Sequence, residues 1–193
     1  MSVRVINAEI KCCTPFYTFG ENGAMTYPIT PGQYNKLSIN ECVWFLATPD
    51  EKFKHYKAEY FNGRIYRIRC KVLKEYIDNN RHIKKLIKYN HEGKPRIIIP
   101  IEYLKEVGRI DEKIIQESGI SGAGDSAYST DADGKYIKDF SKNSTDNTNT
   151  SKKGTIGEFL MKQYFEENGA EYAEIQPDPY GKTDLKIGYN NDT

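Results

Sequence analysis

Residues 141–154, SKNSTDNTNTSKKG, contain no apolar side chain. A segment of that kind cannot bury enough surface to offset the entropy of ordering it. Together with the Gly-, Ser-, Asp-, Asn- and Thr-rich residues before it, it predicts a flexible linker over 118–153. The 193 residues then divide into a mixed α/β module at 1–117 and a short module at 154–193. The expected fold class is α/β, of the mixed α+β kind. Within the linker, Asp133-Gly134 is the expected centre of a turn or short hairpin.

No apolar run is long enough to cross a bilayer, and the first residues, MSVRVINAEI, lack a signal-peptide pattern. The expectation is a cytoplasmic protein without a membrane partner. The four cysteines, Cys12, Cys13, Cys42 and Cys70, form no Cys-x-x-Cys pair and read as reduced structural thiols. His55, His82 and His91 have no metal-ligand spacing.

The net charge of +1 conceals an asymmetry: residues 51–110 carry 16 Lys/Arg against 7 Asp/Glu. A basic middle is the electrostatic footprint of a phosphate-rich partner, and equally the signature of a solvated helix face. DNA or RNA is the partner expected from the first reading, with Arg81, Lys84, Lys85 and Lys88 as the contacts.

Local patterns give the first module its elements. Strands are expected at Val3–Ile10, at Glu41–Leu46 and at Arg64–Val72, where apolar and polar residues alternate. A further strand is expected at the apolar run Arg96–Ile101. Aromatic, Gly and Pro residues between Tyr17 and Gly32 predict loop and turn. Thr48-Pro49 predicts a helix start running on to about Tyr60, and Leu73–Tyr89 predicts a basic amphipathic helix. Short helical turns are expected at Tyr103–Val107 and Asp111–Gln116.

In the C-terminal stretch, Thr155-Ile156-Gly157-Glu158 matches a capping box, and Ile156, Phe159, Leu160 and Tyr164 recur at helical spacing. Asn168-Gly169 ends this helix. Strands follow at Glu171–Gln176 and Thr183–Tyr189, separated by the turn residues PDPYG.

The order Gly-x-x-Gly-Glu on a helix, Tyr-Phe-x-x-x-Gly, a strand and Gly-Lys-Thr-Asp-Leu resembles the opening half of restriction-endonuclease-like nucleases with an Asp…Glu-x-Lys core. The resemblance covers about 35 residues. It implies that Glu158 and Asp184 are catalytic carboxylates that hold a divalent metal, Mg²⁺ by ligand type, to activate water against a phosphodiester. The Glu-x-Lys strand is expected directly after the Asp184 strand, where Tyr189-Asn190-Asn191 reads as a turn. The module is therefore expected to be incomplete, or completed by a second chain. Without the resemblance, Glu158 is a capping partner and Asp184 an exposed strand acid.

The stretch VWFLATPDEKFKHYKAEYFNGRIYRIRCKV resembles the middle of ADP-ribosyltransferase-like domains, and IIIPIEYLKEVGRI a later strand and turn. That resemblance implies an NAD pocket with Thr48 and Tyr56 near the nicotinamide and Glu102 at the acidic position. Read without it, Tyr17, Trp44 and Tyr66 belong to the core of an α/β binding domain. Three functions stay open: a nucleic-acid-binding protein with an incomplete nuclease-like module, an ADP-ribosyltransferase-like enzyme using NAD, and a non-enzymatic interaction protein.

Overall fold

The computed structural model describes residues 2–13, 16–18, 24–48, 63–80, 87–89, 94–118, 120, 128–130, 136–138, 148–176 and 183–190. They form β1 (Val3–Cys13), β2 (Phe16–Thr18), β3 (Ala24–Ile29), α1 (Pro31–Lys36), β4 (Cys42–Ala47), β5 (Arg64–Arg69) and α2 (Cys70–Asn80). β6 (Ile87–Tyr89), β7 (Pro95–Pro100), a 3-10 turn (Ile101–Tyr103), β8 (Lys105–Arg109) and α3 (Glu112–Glu117) follow. The later elements are β9 (Tyr128–Thr130), β10 (Tyr136–Lys138), α4 (Thr148–Glu167), β11 (Tyr172–Ile175) and β12 (Leu185–Asn190). The mixed α/β class expected from the sequence is what the chain adopts.

The main sheet has the strand order β11-β12-β1-β4-β5-β8. β12 pairs antiparallel with both β11 and β1, and β1 runs parallel to β4. The C-terminal helix–strand–strand stretch, expected to stand apart, therefore shares one sheet with the N-terminal strand. The reason is the alternation on β12: Leu185 and Ile187 face the same way as Ala8 and Ile10, and all four are buried in one core with Leu160, Met161 and Phe165 of α4. A helix and two strands alone could not have covered that surface.

The other face of the main sheet carries a second core. Val43, Phe45, Tyr66 and Ile68 meet Tyr27 and Ile29 of β3, Ile97 and Ile99 of β7, and Leu73 and Ile77 of α2. β3 and β7 belong to a smaller sheet, β2-β3-β7-β6. Every residue of β4 is buried, as a strand with a core on each side requires. Trp44 and Tyr66 are core residues, while Tyr17, on β2, has no described side chain.

Several local expectations need correction. The Tyr17–Gly32 region contains β2, β3 and the start of α1. Thr30 caps α1 in a full capping box with Gln33, and Pro31 sits in the first turn. The strand expected through Val72 ends at Arg69, and α2 begins at Cys70; the chain past Asn80 enters β6, so Leu73–Tyr89 is not one helix. Tyr103–Val107 runs from the 3-10 turn into β8, which pairs with β5. α4 starts at Thr148, so Thr155 does not cap it and Glu158 lies in its interior.

Other expectations match. Asp111 caps α3, accepting from the Lys113 amide at 2.7 Å. β9 and β10 pair as a hairpin around the Asp133-Gly134 position. The helix expected after Thr48 lies outside the described residues, as do the three histidines. Gly63, before β5, has φ +76°, and a Cβ there would lie 2.2 Å from the Ile110 carbonyl oxygen, so only glycine fits. Among the described residues no helix is long and apolar enough to cross a membrane.

Candidate functional site

The neighbouring strands β1 and β12 bring two acids together. Side chains alternate along a strand, so Ala8 and Ile10 face α4 while Glu9 and Lys11 face the opposite side with Val43 and Phe45 of β4. The register that sets Ala8 opposite Leu185 continues into Asp184, whose amide donates to the Ala8 carbonyl at 3.1 Å. Asp184 is thereby opposite Glu9. Its Oδ2 accepts from the Ile10 amide at 2.7 Å, which fixes the carboxylate.

α1 supplies a cation to this pair. Lys36 Nζ lies 3.4 Å from Glu9 Oε2 and 3.8 Å from Asp184 Oδ1. The side chain of Glu9 is 3% exposed, that of Asp184 14% and that of Lys36 25%, so the acids are sheltered and the lysine side chain is partly exposed. Buried Glu9 Oε2 has no hydrogen bond of normal geometry among the described groups and is in ion-pair contact with Lys36. Burial pushes the Glu9 carboxyl up to about 7; the charge of Asp184 adds to the rise and that of Lys36 opposes it.

Asn40, also buried, ties the two sides together. Its Nδ2 donates to the Lys36 carbonyl at 3.1 Å, and its Oδ1 accepts from the hydroxyl of Thr183, the residue before Asp184. Lys11, two residues beyond Glu9 on the same face, is half-buried, and Lys186 shares that face and is exposed.

The sequence-predicted residues fall as follows. Asp184 is in this cluster. Glu158 is half-buried on α4, which packs against the other face of the sheet, whereas Asp184 is directed to the α1 side. Lys88 lies on β6 opposite Arg96, and Arg81, Lys84 and Lys85 are outside the described residues. Thr48 is buried at the end of β4, Glu102 is exposed on the 3-10 turn, and Tyr56 is outside the described residues.

Sequence reasoning missed Glu9, Lys11, Lys36 and Asn40. One signal was present: Glu9-Ile10-Lys11 is itself a Glu-x-Lys triplet on a strand. It lies upstream of Asp184, whereas the resemblance implied such a triplet after it. Comparison with protein-family models, with curated proteins and with solved structures found no match.

Proposed function

We propose that Asp184, Glu9 and Lys11 form a divalent-cation-dependent phosphodiesterase site, which makes this chain a nuclease acting on DNA or RNA. The observation that carries the reading is that Asp184, the residue before β12, bonds to β1 at Ala8 and Ile10 and so lies beside the Glu9-Ile10-Lys11 triplet. In this reading the set corresponds to the Asp…Glu-x-Lys residues of restriction-endonuclease-like nucleases with the strands in permuted chain order. β1 of the same chain would then take the place of the strand expected after Asp184, in preference to one from a second chain.

The donor set fits a hard cation. Two carboxylates face one another, and burial with mutual repulsion holds one of them partly protonated near neutral pH. When bound there, Mg²⁺ or Mn²⁺ would be held by Glu9 and Asp184 and would lower the pKa of a water and offset phosphate charge. The protein's part is positional. The Ile10 amide orients Asp184, the sheet orients Glu9, and Lys11 adds positive charge on the same face for a phosphate oxygen. The basic segment containing Lys88 would add affinity independent of base sequence, weakening as salt rises.

The test is cleavage of single- and double-stranded DNA and RNA by the purified chain with Mg²⁺ or Mn²⁺. Glu9→Gln and Asp184→Asn should each lower the rate on the order of 100-fold or more. Activity undiminished from the unaltered chain in both variants, or in chelator, would sink the assignment.

A further inference from the structure

The same geometry that offers two carboxylates to a cation also fills the place between them. Asp184 Oδ2 accepts from the Ile10 amide, and Oδ1 is the oxygen turned to Lys36. From Glu9 the corresponding atom is Oε2, buried beside the same ammonium. Both are the atoms that Lys36 Nζ faces, at 3.8 Å and 3.4 Å. A divalent ion binding this pair therefore needs the oxygens that the ammonium already engages.

We propose that Lys36 is a built-in counter-cation of the Glu9–Asp184 pair, displaced from it when a divalent ion binds. This rests on the reading of the pair as a cation site. Displacement requires only a side-chain swing. The Lys36 backbone is pinned by the Asn40 amide and by its place at the end of α1, while four methylenes carry the charge and the side chain has an outlet to solvent. Asn40 is a positioning residue in this scheme: its link to Thr183 sets the distance between the lysine's anchor and Asp184.

The consequence is a site whose acids are compensated before the ion arrives, at a cost in affinity. An ammonium about 4 Å from each ligand opposes a divalent ion by at least about tenfold in dissociation constant, even with near-aqueous screening.

Mn²⁺ binding to the full chain, read by electron paramagnetic resonance, tests this alongside the amine reactivity of Lys36, read by acetylation and mass spectrometry. Asp184→Asn serves as the control for binding elsewhere. Lys36→Met should bind Mn²⁺ at least about tenfold more tightly than the unaltered chain, and Lys36→Arg should bind within about twofold of it. In the unaltered chain, Mn²⁺ should raise the acetylation rate of Lys36, a measurement that holds even if Lys36→Met fails to fold. If the unaltered chain binds Mn²⁺ through Asp184 but Lys36 reactivity does not rise, displacement is wrong while the cation site stands. If neither the unaltered chain nor Lys36→Met binds Mn²⁺ beyond the Asp184→Asn level, the cation site itself is wrong.

Discussion

β1 and β4 lie side by side in the middle of the sheet, yet they treat burial in opposite ways. β4 is apolar on both faces and fills a core on each side. β1 is apolar toward α4 through Ala8 and Ile10, but on its other face it buries Glu9 to 2% exposure. An apolar residue at position 9 would have met no obstacle there, since the paired residue is Val43. Burying a carboxylate costs several kcal/mol unless partners return it, by roughly the scale known for buried ion pairs. The contrast separates a strand whose two faces serve packing from one whose second face holds a charged cluster.

The contrast can be broken most sharply on the α4 side. Phe165 is 1% exposed and stacks edge-on against Trp44 at 4.7 Å between ring centres. Phe165→Ala should cost about 3–5 kcal/mol in denaturant unfolding, because no neighbour can refill the space. A loss below 1 kcal/mol would show that this face is not a packed core.

On the other face the sign reverses. Glu9→Leu should be neutral or stabilising by up to about 2 kcal/mol, since Lys36 and Asp184 still face each other once Glu9 is gone. The same variant should lose cation-dependent cleavage. A strongly destabilised Glu9→Leu would make Glu9 a structural residue and erase the distinction between the strands.

Stability should also depend on pH through Glu9. Its folded pKa of about 7 lies above the ordinary 4.5, so the folded state holds the proton more tightly. That contribution is complete below about pH 4.5 and is lost as pH rises through 7. In chelator, the chain should therefore lose up to about 3 kcal/mol between these limits, and Glu9→Gln should flatten this component of the slope. A rise in stability over the same interval, specific to Glu9, would reverse the electrostatic picture.

The smallest effect is expected at Glu158. Because α4 covers the face away from the acidic pair, Glu158→Gln should change Mn²⁺ affinity by less than about threefold. A larger change, measured in the same binding assay, would bring α4 into the site.

What could be read beforehand follows the range of the forces involved. β4, β5 and β7 announce themselves locally, through the apolar run CVWFLA, the alternation in RIYRIR and the run RIII. α1 was not expected: Thr30-Pro31 and Gln33 spell a capping box, but the aromatic and glycine-rich residues before them read as loop. β8 was misassigned because KEVGR is too short for its periodicity to choose between helix and strand. Asp184, one member of the acidic pair, was singled out from its motif. Glu9 was not, because strand register between distant segments leaves no trace in either segment alone. The same holds for the linker expectation: β9, β10 and the first residues of α4 fall within 118–153, and composition cannot say that the chain on both sides of them returns to one sheet.

The hydrogen bond from Ile10 to Asp184 spans 174 positions, and that separation orders events during synthesis. Glu9 leaves the ribosome well before Asp184, so the pair cannot assemble on a nascent chain until nearly all the described strands have emerged. Closing so long a loop is entropically the most expensive step of building the sheet. For a nuclease, as proposed, strand order would keep the two acids on separate parts of an unfinished fold until the last strand of the sheet is made.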